Sequence, residues 1–186
     1  MKNIVIDIET LGTKLNKNRQ VPVVLSLGAV LIVDGKIADS LLVHFNPGEQ
    51  IARGAFIDMD TLNWWLNTDA AEFCKLIELA NASSNEESLD KFASWVAMHT
   101  DDQEYLPIWG NSHSFDCTNL EYIYTLFDRE IPWSYRGESC FRTLKKLCSW
   151  DCKPTTFKGT QHNAIDDATH EAEWLINCAK ELKKHI

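Results

Sequence analysis

Asn3–Ile8 alternates in the manner of a strand, with Ile4, Ile6 and Ile8 on one face. Val23–Val33 and Ile37–Phe45 are rich in β-branched residues, and Asp34-Gly35 between them is a strong hairpin signal. These three runs predict an antiparallel meander. Helical spacing then takes over, over Thr61–Leu66 and Ala70–Ala80. Ser84-Asn85-Glu86-Glu87 is a capping box that opens a helix through His99. Tyr105–Gly110 is short, apolar and bounded by turn residues, and so reads as a buried strand. Cys117–Phe127 and Thr143–Ser149 read as helices. A last helix from Asn163 to Lys183 carries the apolar stripe Ile165, Ala168, Ala172, Leu175, Ile176 and Ala179. Strands and helices in this order predict a mixed α/β domain.

With 186 residues the chain fits one domain, 1–186, and shows no repeat, low-complexity tract or linker. Asp7 and Glu9 interrupt the first apolar run, which argues against a signal peptide, and no run approaches the ~20 apolar residues of a membrane span. A cytoplasmic protein with reduced thiols is expected. Cys148 and Cys152 have the spacing of half a zinc site but no matching second pair, so the six cysteines read as small apolar filler. The net charge of −9 is unevenly spread. Residues 129–158 hold seven basic side chains against three acidic ones, whereas residues 58–104 hold eleven acidic against Lys75 and Lys91. The basic strip can meet phosphates; the same charges can equally be solvating helices.

Candidate chemistry starts with Asp7 and Glu9. Residues two apart on a strand share a face, with backbones about 6.6 Å apart. An apolar strand thus carries two acids side by side, which is costly unless a cation offsets them or the strand lies exposed at an edge. Asp116 follows the predicted buried strand at the start of a helix, where it serves as a cap or as a further acid. Asp166 and Asp167 fall in the first turn of the last helix, which suits the helix dipole. Helical geometry does not choose between them. His162 lies beside them as a natural general base, with His113 as its rival.

Taken together, Asp7-Ile8-Glu9-Thr10, then Gly110-Asn111 and Phe115-Asp116, then His162 with Asp167 five residues on, resemble the three motifs of the DEDDh exonucleases. That superfamily includes ribonuclease T, oligoribonuclease and proofreading exonuclease domains. Thr61-Leu62, Trp64-Trp65-Leu66, Trp109-Gly110-Asn111 and Arg142-Thr143-Leu144 are similar to the phage DexA-like and mycobacterial exoribonuclease subgroup. The resemblance implies a ribonuclease H-like fold, a five-stranded mixed sheet flanked by helices, whose fifth strand has no visible counterpart in the sequence. It selects Asp167 over Asp166, and the histidine-type over the tyrosine-type enzymes, since no tyrosine follows Tyr135.

The activity so implied is 3′-5′ hydrolysis of single-stranded RNA or DNA from a free 3′ end to nucleoside 5′-monophosphates. Asp7, Glu9, Asp116 and Asp167 would hold two Mg²⁺ or Mn²⁺ ions, with Asp7 bridging them, and His162 would take the proton from the attacking water. Thr10, Leu11 and Gly12 would contact the terminal nucleotide, and Asn111 would hold substrate or cap a turn. Trp64, Trp65 and Trp109 read mainly as core residues that can also stack on bases. A homodimer is left open and no membrane is involved. The alternatives are an inactive nuclease fold that binds nucleic acid, a metal hydrolase of small phosphoesters, and a structural protein.

Overall fold

The computed structural model describes residues 2–100 and 105–182. Its sheet has five strands: β1 (Lys2–Thr10), β2 (Val24–Val33), β3 (Lys36–His44), β4 (Ile108–Gly110) and β5 (Glu138–Cys140), in the order β3-β2-β1-β4-β5. The first three form the expected meander. Asp34 and Gly35 make its hairpin with φ of 49° and 73°, the left-handed pair that a two-residue turn requires. β4 and β5 then add in parallel beyond β1.

β1 is therefore an inner strand, which excludes the exposed-edge reading of its acids. Ile4, Ile6 and Ile8 pack on one face with Leu89, Phe92, Leu120 and Ile123. Those partners come from α4 (Asn85–His99) and α5 (Asp116–Leu126). Val5 leads the other face, against Ala168, Ala172 and Leu175 of α7 (Ala164–Glu181). Asp7 and Glu9 continue that second face, so they lie between the sheet and a helix. A third cluster joins Leu11, Val23 and Leu25 to α2 (Met59–Thr68) and α3 (Ala70–Asn81) through Trp65, Phe73 and Leu76.

Three elements differ from expectation. β4 begins at Ile108 rather than Tyr105, because Pro107 has no N–H to give the ladder; its carbonyl instead accepts from Ile4 N at 2.8 Å. The helix expected over Thr143–Ser149 is α6 (Phe141–Lys145), which stops where Lys146 and Leu147 turn back onto Thr143 and Leu144. A short α1 (Pro47–Ala52) went unread, although Asn46 caps it from the Glu49 amide and Pro47 opens it. The predicted end of the last helix, Lys183, lies outside the described residues. All six cysteines are free thiols, with Cys117, Cys152 and Cys178 buried. No helix among the described residues is long and apolar enough to cross a membrane.

Candidate active site

Asp7 and Glu9 stand on the α7 face of β1, and Asp7 pairs across the ladder with Gly28 of β2. That glycine decides how close α7 comes. A Cβ at position 28 would lie 2.1 Å from the Ala164 carbonyl oxygen, so only the missing side chain lets the start of α7 rest on the sheet. The helix then delivers Asp167 to the strand acids. Donor atoms of Glu9, His162 and Asp167 all lie within 4.8 Å of one another.

The two adjacent acids of α7 separate cleanly. Asp166 turns away and accepts the Thr160 amide at 2.8 Å. Asp167 accepts the His162 amide at 2.8 Å and faces Glu9. His162 holds a left-handed φ of 62°. Its ring meets the edges of Trp64 and Trp65, with centroids 5.0 and 5.8 Å away. The rival base, His113, is exposed and its ring lies beside the Cys140 thiol.

Asp116 reaches the site from the other side of β1. It is the first residue of α5, not its cap, and its Oδ2 accepts the Ser112 amide at 3.1 Å. Gly110 at the end of β4 makes room for it, since a Cβ there would come 2.6 Å from that oxygen. Asp116 is 1% exposed. A fifth acid, Glu171, joins these four. It sits one helical turn beyond Asp167 and repels both Asp7 and Asp116.

Burial and mutual repulsion push this whole cluster toward its neutral form. Asp7 is raised well above its ordinary value by burial first, then by Asp116, Glu171, Glu9 and Asp167. Burial followed by Asp167 and Asp116 takes Glu9 to about 8. Burial takes Asp116 to about 7 against the opposing Ser112 amide and Arg142, and Glu171 to about 8. Such a group is unfavourable in water alone and favourable around a cation. Its carboxylate oxygens suit hard divalent ions such as Mg²⁺ or Mn²⁺.

A stability prediction follows. Between the ordinary carboxylate values of 3.8 and 4.5 and the raised values of about 7 to 8, the native state binds more protons than the unfolded chain. In chelator, stability is therefore expected to fall as pH rises from about 4, with the full loss reached above about 8. Thermal denaturation across that range should show it, and Mn²⁺ should flatten the curve. A pH-independent curve in chelator would contradict the buried cluster.

Beside the acids opens a cavity of about 500 Å³, lined among others by Asn111, Lys145, Lys153, His162 and Trp174. Lys145 donates to Asn111 Oδ1 at 2.8 Å and lies over the Phe141 and Trp174 rings. The basic strip read from the sequence is not one surface. Arg129 pairs with Asp90 at 3.0 Å, Lys158 with Glu173 at 2.7 Å, and Arg136 donates to the Tyr105 hydroxyl. Of its seven members, only Lys145 and Lys153 line the cavity.

Thr10, Leu11 and Gly12 form a tightly held turn. The Thr10 carbonyl accepts from Trp65 Nε1 at 3.1 Å, and the Thr10 hydroxyl donates to the Gly12 carbonyl at 2.7 Å. Leu11 is 2% exposed and its carbonyl accepts the Asp58 amide. Trp65 is core, stacked on Phe73, and Trp109 is half-buried with its Nε1 on Asn3. Trp64 is 44% exposed beside His162. Sequence reasoning passed over Glu171, Gly28 and the cavity role of Lys145. The signal for Glu171 was available as an acid four residues after Asp167, bordering the apolar stripe.

The profile of the Rv2179c-like 3′-5′ exoribonuclease domain matches residues 2–179 of this chain. The chain belongs to that family. No curated protein matches it. Among solved structures, the nuclease domain of 3′hExo, a DEDDh family member bound to rAMP, superposes with a TM-score of 0.67 at 12% identity. The match covers 96% of this chain and 92% of that one. E. coli exonuclease I in complex with a dA16 oligonucleotide gives 0.66 at 12% identity, over 98% of this chain and 41% of that one. Cell-death related nuclease 4 (CRN-4) gives 0.58 at 14% identity, over 96% and 64%. This chain thus spans about two-fifths of the exonuclease I chain. These likenesses place this Rv2179c-like chain in the ribonuclease H-like exonuclease fold, as the five-stranded mixed sheet requires. Its family is one of 3′-5′ exoribonuclease domains, and its fold is that of the 3′hExo nuclease domain.

Proposed function

We propose that this chain releases nucleoside 5′-monophosphates from the 3′ end of single-stranded RNA or DNA, using two Mg²⁺ or Mn²⁺ ions. The observation that carries the reading is the convergence of Glu9, His162 and Asp167 within 4.8 Å, with Asp7 on the same strand face as Glu9. Asp7, Glu9, Asp116 and Asp167 would hold the ions. When bound, such ions neutralise charge on the scissile phosphate and lower the pKa of water.

The protein's own groups do the rest. His162 accepts a proton at a ring nitrogen from the water aligned for attack, and the Trp64 and Trp65 edges orient that ring. Lys145 and Lys153 supply positive charge in the cavity beside the acids, where the phosphate backbone approaches.

The test is a labelled single-stranded RNA and DNA pair, each with a free or blocked 3′ end, incubated with Mg²⁺, Mn²⁺ or chelator. Metal-dependent release of mononucleotides from free ends alone is expected. Binding without release would identify a non-cutting module. A length series with activity confined to the shortest substrates would identify a small-phosphoester hydrolase.

Trp64 provides a further prediction. Its exposed indole beside His162 is placed to stack on a base, which is worth about 1–3 kcal/mol. Trp64→Ala is therefore expected to raise KM roughly 5- to 150-fold, with a smaller change in kcat. Steady-state kinetics on a short oligonucleotide check this, and an unchanged KM would remove the stacking role.

A further inference from the structure

Glu171 has no task in the four-acid reading, yet its position is costly. It is 8% exposed, and its Oε2 is fully enclosed without a hydrogen-bond partner. A buried carboxylate oxygen left unpaired is unfavourable by about 1–3 kcal/mol or more. Lys145 attracts Glu171 but makes no hydrogen bond to that oxygen; it donates to Asn111 Oδ1 at 2.8 Å and lies over two aromatic rings.

The surroundings of Glu171 show where it belongs. Glu171 lines the same cavity as Asp167 and His162, one turn further along α7. Its strongest acidic neighbour is Asp116, and Asp7 feels Glu171 more than it feels Glu9 or Asp167. Glu9 and Asp167 converge on His162. Asp116 comes in against Gly110 at the end of β4 and is the acid that Glu171 meets most strongly, ahead of Asp167.

We propose that Glu171 is a fifth acidic residue of the metal centre, a positioning residue that accepts hydrogen bonds from the water shell of the ion held by Asp7 and Asp116. The inference rests on the metal-centre reading of the four acids. Small divalent ions such as Mg²⁺ shed their waters reluctantly, so an ion with few direct protein ligands needs acceptors around its hydration shell. An unpaired, enclosed carboxylate oxygen is such an acceptor. Groups that orient bound ligands in this way typically change metal affinity about 10- to 100-fold when altered.

The experiment is Mn²⁺ binding to the full chain, followed by calorimetry and by the electron paramagnetic resonance of free Mn²⁺. Wild type is compared with Glu171→Gln, Glu171→Asp, Asp7→Asn and the surface control Glu173→Gln. Wild type should take up two ions. Glu171→Gln, nearly isosteric but uncharged, should weaken one of the two sites about 10- to 100-fold and leave the other as it was. Glu171→Asp should restore part of that loss, because a shorter carboxylate still reaches a water, and Glu173→Gln should bind like wild type. Melting curves in chelator show that each variant is folded. Should Glu171→Gln fail to fold, the affinity of Glu171→Asp decides: an unchanged affinity overturns the inference. Unchanged affinity at both sites in Glu171→Gln, with binding lost in Asp7→Asn, overturns the inference and leaves the metal centre standing. A wild-type chain that binds no Mn²⁺ removes both.

Discussion

Asp7→Asn is expected to abolish exonuclease activity, remove Mn²⁺ binding and at the same time make the metal-free protein more stable. The three effects share one cause. Asp7 is the acid on which the others converge, since Asp116, Glu171, Glu9 and Asp167 all raise it. A group in that place would serve both ions of the proposed centre, so its loss would deprive both of a ligand. The phosphate charge that the ions would neutralise accounts for several kcal/mol of barrier, which corresponds to a rate loss of about 10³-fold or more. Without metal, however, ionising Asp7 is opposed by burial and by four neighbouring acids, and neutral asparagine removes that cost. The melting temperature in chelator should therefore rise above wild type, while the increase produced by Mn²⁺ disappears. Calorimetry showing wild-type Mn²⁺ affinity in Asp7→Asn would break the link between this residue and the ions.

His162→Ala is expected to lower the rate by roughly 10²–10⁴-fold, as for the loss of a general base, while the metals still bind. The backbone complicates the reading of alanine here. His162 sits at φ 62°, where alanine is strained by about 1–2 kcal/mol and asparagine is tolerated. His162→Asn separates the two causes. Equal rate losses in both variants identify the missing base, whereas a loss confined to alanine identifies displaced backbone. His113→Ala should change the rate little, because that ring lies by Cys140 and not with Glu9 and Asp167. Full activity in His162→Asn would return the proton to another acceptor.

The parts of this site that could be read from sequence are those in which a short-range pattern coincides with chemistry. Asp7 and Glu9 stand out because strand periodicity puts both on one face of an isoleucine-rich strand. The Asp34-Gly35 turn is legible because few other dipeptides accept its backbone. β5 is not legible, since Glu138–Cys140 has no apolar run and exists as a strand only through parallel pairing with β4. Glu171 escaped because an acid on an amphipathic helix ordinarily faces water, and only the tertiary packing of α7 on β1 buries it. The basic strip misled for a related reason. A count of charges along the chain does not see that Asp90 lies against Arg129, or Glu173 against Lys158. The adjacent tryptophans make the same point: one packs on Phe73 and the other reaches the surface, a difference of helical phase that neighbouring positions cannot express.

Gly28 gives the centre an unusual kind of ruler. Where α7 meets β2, peptide touches peptide, with no side chain between them to change rotamer or size. The gap between an acid carried by the strand and one carried by the helix is thus gauged by main-chain dimensions, which drift in the surrounding hydrophobic residues does not reset. Any residue larger than glycine at that seam would tilt the helix and part its acid from the strand's, so a well-folded chain could lose its chemistry through a single added carbon.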